Sequence, residues 1–420
     1  MKDCEITLIK YLVLINIFFL FNNIMPRPRK IITKKYLSDK ETANLEGKWI
    51  DNSYMKMPVI NSNVDVYYID DDGSEKLLLK FRKNSFTSPL IRTGWQSYKD
   101  LAKPSRGRGA SAGPINTESV YWTKRNIVNT NKWSTGYLTP LGNKIKEELD
   151  KLSLEELQER FKKEEIKCKD VESVINDRNE LTHLIIKKLN GISKMKVNNQ
   201  VASNPIGFYE ASKNFCHLPC RLTHFTRTNF DDYNKGLPFI QQIDSLFKKL
   251  IPDAYKKQLD RANQKPHLKI PNTSFSTITI NRNFRTALHR DAGDFKEGFG
   301  NLTVIERGKY HGGYTVFPQF GVAVDVRSGD FLAMDVHQWH SNTDIYETEE
   351  DKIYNDTIDY AFNDNPEVGT VGLDKKYTRL TFVCYLREKI LECPDEIDPQ
   401  FLKESGHKKI VENDEYKTSI

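Results

Sequence analysis

Two histidines and one aspartate, His289, Asp291 and His340, are the residues of this chain best suited to chemistry. His289-Arg290-Asp291 sets an imidazole and a carboxylate two positions apart, so in extended backbone both stand on one face. A second imidazole follows Asp291 by 49 positions. Two imidazoles and one carboxylate on a β scaffold can cap one face of a ferrous ion and leave three coordination positions open. Arg379, at the head of the apolar alternating run RLTFVCYL, adds a planar, permanently charged fork that suits bidentate capture of a carboxylate. The expectation is a catalytic and metal-ligating set of His289, Asp291 and His340, with Arg379 anchoring a dicarboxylic co-substrate. That is the constellation of an Fe(II)/2-oxoglutarate oxygenase, with Fe(II), 2-oxoglutarate and O2 as its requirements.

A bare H-x-D recurs by chance, so the elements that must carry it decide its weight. The β-branched run Thr273–Asn281 reads as a strand that delivers His289 from its far end. Four more strand-like runs follow, Leu302 to Glu306, Tyr314 to Phe317, Val322 to Val326 and Asp330 to Asp335, and Arg379 to Leu386 is the last. Gly312-Gly313, Pro318 to Gly321 and Ser328-Gly329 punctuate them. This spacing predicts an α+β chain whose core is a double-stranded β-helix, a cupin-like jelly roll with flanking helices that holds a metal between two sheets.

The stretch from Asn281 to Thr343 also carries a resemblance, most specifically in Phe284-Arg-Thr-Ala-Leu-His289, Gly298-Phe-Gly-Asn301, Gly321-Val-Ala-Val-Asp-Val-Arg-Ser-Gly-Asp330 and Trp339-His340-Ser-Asn342. It resembles the oxygenase core of the TET/J-binding-protein family, which oxidises the methyl group of 5-methylcytosine or thymine in nucleic acid. With Arg379 to Glu388 the likeness covers roughly a quarter of the chain, and it extends more weakly back to about Ile206. It implies that His289, Asp291 and His340 ligate iron and that Arg379 binds 2-oxoglutarate. Thr381 falls where the family often has a hydroxyl assisting that Arg. His337 competes with His340, but three residues apart in a strand they face opposite ways, and the Trp-His-small-Asn pattern favours His340. His311 is read as solvated, and Arg387 is the fallback for Arg379. The chain departs from the family between His340 and Arg379, where 38 residues intervene.

A pyrimidine methyl is out of reach inside a duplex, so the resemblance implies DNA as partner and a base flipped into a pocket. Phe284, Tyr314, Phe317 and Trp339 are available for stacking, with plain core packing as the alternative. The charge balance, Lys+Arg 63 against Asp+Glu 57, is too mild to imply nucleic acid. Basic residues do cluster in Pro26-Arg-Pro-Arg-Lys30 with Lys34 and Lys35, read as an arm for phosphate contacts, and in the Gly-rich loop Lys103–Pro114. No stable protein partner is expected. A protein hydroxylase of prolyl or lysyl type on the same scaffold, or a DNA-binding module without chemistry, are the alternative functions.

The remaining organisation follows composition. Residues 1–24 are a hydrophobic extension or a misassigned start, and only if translated as an anchor would they bring a membrane into play. A basic N-terminal region spans 25–140, a charged helical block 141–200, the oxygenase core 201–400 with an acidic insertion 346–376, and a tail 401–420. The insertion holds nine acidic residues against three Lys, without a sustained strand or helix period, and reads as inert loop or lid. Within the helical block Leu141 to Ile166 and Val171 to Leu189 read as amphipathic helices, as does Leu237 to Leu250, stopped by Pro252. Six widely spaced cysteines suggest free thiols, and the location expected is intracellular, in the nucleus or on DNA.

Overall fold

The computed structural model describes residues 28–119, 133–168, 171–211, 219–362 and 372–395. The alternating runs form strands: β1 (Arg29–Thr33), β2 (Val64–Ile69), β3 (Glu75–Arg82), β4 (Val201–Tyr209), β5 (Thr277–Arg282), β6 (Gly300–Arg307), β7 (Thr315–Phe317), β8 (Val322–Val324), β9 (Phe331–Met334), β10 (Ser341–Asn342) and β11 (Thr378–Tyr385). Eight of them order as β1-β2-β3-β9-β6-β11-β5-β4 in a ten-stranded sheet completed by two short strands, Pro104–Ser105 and Arg221–Leu222. A three-stranded sheet, β8-β7-β10, faces it. The expected jelly-roll arrangement of a large and a small sheet is therefore present.

The period of two sorts the strands' side chains. Leu380, Phe382 and Cys384 of β11 and Ile278 and Ile280 of β5 enter the core under the helices. The alternate residues Thr381, Val383, Thr279 and Asn281 face a cavity on the opposite side. Likewise Phe331 and Ala333 of β9 point to the helices, while Leu332 and Met334 join Leu302, Val304, Phe317 and Val322 between the sheets.

Among the described residues the helices of eight or more residues are α1 (Ser88–Tyr98), α2 (Pro140–Leu149), α3 (Leu154–Lys163), α4 (Arg178–Lys188), α5 (Phe230–Leu250), α6 (Pro252–Ala262) and α7 (Glu349–Asp356). α5 lies on the large sheet, its Phe239 meeting Phe382 edge-on at 5.0 Å. α1 packs beside it because Gly236 leaves room: a Cβ there would stand 2.1 Å from the Tyr98 ring, whose hydroxyl donates to the Tyr233 carbonyl at 2.9 Å. Pro252 both ends α5 and opens α6, where its fixed φ and missing N–H suit a first turn. The helical block has a core of its own around Leu149, Leu157, Phe161, Leu181 and Ile185.

Four expectations need correction. The arm after Arg29 is the edge strand β1, paired with β2, and its cations are engaged: Lys30 with Glu75 at 2.5 Å, Lys35 with Asp71 at 2.8 Å. Pro26 and Arg27 lie outside the described residues. Because β1 to β3 belong to the large sheet, the boundary expected between the N-terminal region and the core is not a structural one. The acidic insertion contains a helix, α7, started by a capping box in which Thr348 and Asp351 satisfy each other's backbone donors. The cysteines are not all free thiols, since Cys220 and Cys393 form a disulfide across 173 positions. Cys168 and Cys384 are unpaired.

Replacing Phe382 with Ala opens a cavity between β11 and α5 and should cost about 3–5 kcal/mol of stability, read as a lowered denaturation midpoint. A loss below about 1 kcal/mol would mean that this contact does not seat the helix on the sheet.

Candidate active site

His289 and His340 face each other as an isolated antiparallel pair, each backbone N–H donating to the other's carbonyl at 3.0 Å. Residues opposed in this way project to the same side, and the two rings lie 4.4 Å apart between centroids. Asp291, two residues beyond the pair, is brought to the same place by its N–H bond to the Val336 carbonyl at 3.0 Å. Its two carboxylate oxygens stand 3.7 Å from His289 Nε2 and 3.7 Å from His340 Nε2. One ligand atom from each of the three lies within 4.8 Å of the others, a spacing that could hold a metal ion.

The imidazoles are also turned correctly. His289 Nδ1 faces the Ala287 carbonyl at 2.8 Å and His340 Nδ1 the Gln338 carbonyl at 2.9 Å. A carbonyl only accepts, so each Nδ1 carries the proton and each Nε2 offers its lone pair to the centre. Burial, reinforced by the neighbouring His289, pushes the His340 imidazole down to about 4, so it is neutral in ordinary buffers as a metal ligand must be. His337 turns away: its Nε2 faces the Phe295 carbonyl at 3.3 Å and it lines a separate cavity. His311 is engaged by the α7 residue Asp351 at 2.9 Å, and so is not simply solvated.

The triad opens onto a cavity of about 380 Å³ whose inner wall includes Thr279, Asn281, Thr381, Val383 and Tyr385, with Phe284 and Asn342 beside them. Of the aromatic residues expected to stack on a base, Phe284 lines it. Phe317 is fully buried in the core between the sheets, and Trp339 lies under the Arg290 guanidinium at 4.4 Å. Arg379 is 2 % exposed and stands just behind the wall. Its Nη2 donates to the Gly313 carbonyl at 3.2 Å, which also accepts from the wall residue Asn342 at 3.3 Å. Among the described residues no carboxylate forms an ion pair with it. Arg387 reaches the cavity, but Glu210 holds it through two hydrogen bonds, one of 2.6 Å.

Three contributions escaped the sequence reading. Asn283 adopts a left-handed backbone (φ 47°), accepts the Arg379 N–H at 2.7 Å and donates to the Gly372 and Tyr377 carbonyls. It thereby fixes where Arg379 begins. Asp294 lines the cavity with Oδ2 buried and unpartnered. Burial, then the nearby Asp291, raise its carboxyl well above the usual range. The Gly-rich loop forms the rim through Gly107 to Ser111, held from below by Asn198 and by Asn199, which donates to the Ala112 and Pro114 carbonyls at 2.9 and 2.6 Å. An asparagine's two-sided amide in a connecting segment has no periodic signature, so only the isolated Arg-Gly-Arg-Gly was a hint. The acidic insertion contributes none of its described residues to the cavity wall.

Comparison with known proteins adds the following. Residues 204–388 match Tet_JBP, the oxygenase domain of the 2OGFeDO superfamily. The bifunctional helicase and thymine dioxygenase JBP2 of Trypanosoma cruzi is 32% identical over 187 residues, 44% of this chain and 15% of that protein. JBP2 of Trypanosoma brucei brucei is 37% identical over 145 residues, 34% of this chain and 13% of the relative. The thymine dioxygenase JBP1-A of Trypanosoma cruzi is 32% identical over 186 residues, 44% and 19% of the two. The chain thus spans less than a fifth of the length of these relatives. A structure of NgTET1 in complex with 5mC DNA aligns over 91% of both chains at 13% identity and a TM-score of 0.40.

Changing His289, Asp291 or His340 to Ala removes one donor from a three-donor set and should reduce bound iron at least about tenfold, measured by metal analysis after anaerobic loading. His337→Ala should retain iron at the level of the unmodified protein. Equal losses at positions 337 and 340 would overturn the ligand set.

Proposed function

We propose that this chain, whose residues 204–388 match the Tet_JBP oxygenase domain, is an Fe(II)- and 2-oxoglutarate-dependent dioxygenase that hydroxylates the methyl group of a pyrimidine, thymine or 5-methylcytosine, in DNA. The observation that carries the reading is the convergence of His289, Asp291 and His340 on one cavity, with a buried Arg379 that lacks a carboxylate partner behind its wall. Two imidazole nitrogens and one carboxylate are a donor set that fits ferrous iron and leaves positions for a chelating co-substrate and O2. When bound, iron and 2-oxoglutarate supply the oxidation of an unactivated C–H bond, which no side chain can perform.

What the chain itself contributes is geometry and charge. The Ala287 and Gln338 carbonyls hold an Nδ1 proton on each imidazole and so aim both Nε2 atoms at the centre. Arg379 meets the distal carboxylate of the co-substrate, because a guanidinium removed from water demands an anion more strongly than the Gly313 carbonyl can satisfy. Phe284 offers a face for a flipped base, and the unpartnered Asp294 Oδ2 offers a polar contact for its edge. Arg108 on the glycine-rich rim and Arg290 on the opposite lip, neither in an ion pair among the described residues, meet the flanking phosphates. No described helix is long and apolar enough to cross a membrane; DNA is the partner and the nucleus the place that this chemistry suits.

Incubating the protein with iron, 2-oxoglutarate and oligonucleotides containing thymine or 5-methylcytosine should yield the hydroxymethyl nucleoside by mass spectrometry, with 2-oxoglutarate consumed in step. Consumption coupled to a peptide instead would favour the protein hydroxylase, and absence of any 2-oxoglutarate turnover the inert binding module. Arg379→Ala should raise the 2-oxoglutarate requirement about ten- to hundredfold while iron stays bound, since a charge-assisted bidentate contact is lost and no ligand is. An unchanged requirement would move the anchor to another base.

A further inference from the structure

Three polar side chains beside the triad are aligned by the sheet itself, and two of them, Asn281 and Thr381, line the cavity. Ser203 on β4, Asn281 on β5 and Thr381 on β11 are direct cross-strand partners, and all three are buried. The Ser203 hydroxyl bonds to Asn281 Oδ1, and Asn281 Nδ2 donates to Thr381 Oγ1 at 3.1 Å. The direction of the row follows from the Asn281 amide, which presents its oxygen to Ser203 and its nitrogen to Thr381. An amide oxygen only accepts, so Ser203 donates; an amide nitrogen only donates, so Thr381 accepts on that side. The Thr381 hydroxyl therefore keeps its own proton. No acceptor for it is found among the described residues, and Thr381 lines the cavity.

A carboxylate has about four lone-pair sites to satisfy when it leaves water, and one guanidinium fork fills two of them. Thr381 follows Arg379 by two positions on the same strand face, about 7 Å along the backbone, so both can serve one bound anion. We propose that Asn281, oriented by Ser203, is a positioning residue that fixes the polarity of the Thr381 hydroxyl and makes it a standing donor to the carboxylate of the co-substrate. Without Asn281 the same hydroxyl is free to turn its proton elsewhere in the wall. The inference rests on the proposed use of 2-oxoglutarate and goes beyond it, because it assigns roles to two residues that touch neither iron nor co-substrate in that reading.

The test is a double-mutant cycle read by anaerobic calorimetric titration of the iron-loaded protein with 2-oxoglutarate, not by turnover. Asn281→Ala and Thr381→Val should each weaken binding about tenfold, the scale of one hydrogen bond to a charged group. The double variant should be no weaker than Thr381→Val by more than about twofold, because Asn281 acts through the hydroxyl already removed. Thr381→Ser should bind as the unmodified protein does and keep its sensitivity to Asn281→Ala. Ser203→Ala, a gentler change that lets the amide turn over, should give a loss of a few fold that likewise vanishes beside Thr381→Val. Bound iron should be the same throughout, which separates positioning from misfolding. Losses that multiply in the double variants would make Asn281 a structural residue and overturn the inference alone. An unmodified protein that binds iron but no 2-oxoglutarate would overturn the functional reading, and this inference with it.

Discussion

The pair of backbone hydrogen bonds between His289 and His340 is the constraint on which the site depends. Main chain, not side chain, decides that two imidazoles 51 positions apart project to one side, since opposed residues in a bonded antiparallel pair have no other choice. Closing that pair requires the chain between them to leave and return through β6, β7, β8 and β9, which contribute to both sheets. Asp291, two residues on, then needs only one backbone bond to Val336 to arrive beside the rings. A local side-chain substitution can remove a donor from this centre, but it cannot easily move one.

The same logic governs charge. Asp291 sits in the cavity wall with Asp294 nearby, and burial together with that neighbour favours the neutral form of the Asp294 carboxyl. A few residues away Arg379 is buried with main-chain and amide partners only. Burying a charge without a counter-ion costs several kilocalories per mole unless its hydrogen bonds are well made. The left-handed Asn283 is part of how the cost is contained, because it locks the backbone at Arg379 while leaving the guanidinium unneutralised. A site kept in this condition attracts an anion, whose own desolvation cost the unneutralised guanidinium offsets.

The strands were legible because a period of two with one buried face leaves a mark over five to eight residues, and β5, β6 and β11 carry it fully. The cluster was legible because H-x-D in such a setting restricts where the second histidine can lie, but His337 and His340 are separated by the turn after β9 and not by the strand alternation expected of them. Pairings between distant segments left no such trace. Cys220 and Cys393 meet only once the segment after β11 folds back beside β4. Lys30 and Lys35 looked like free cations because Glu75 and Asp71 lie across a hairpin that composition cannot align. α7 has a readable capping box, Thr348 to Asp351, but eight residues are too few to display a helical period.

The insertion that separates the two halves of the site acquires a physical meaning from these contacts. Asn355 of α7 exchanges hydrogen bonds with the backbone of Lys309 and so clamps the turn that follows β6. Further along, Tyr360 accepts from Arg282 at the end of β5, whose guanidinium also lies 3.3 Å from the centre of the Phe362 ring. Both contacts fall on strands that flank β11, away from the cavity mouth. β5 and β11 are thus held by helices on their apolar face and by the insertion at their ends, which leaves their polar face free of structural duty. Asn281, Thr381 and the backbone of Arg379 stand on strands that are also secured elsewhere, so polar residues that would weaken an ordinary sheet can be kept on the face that lines the cavity.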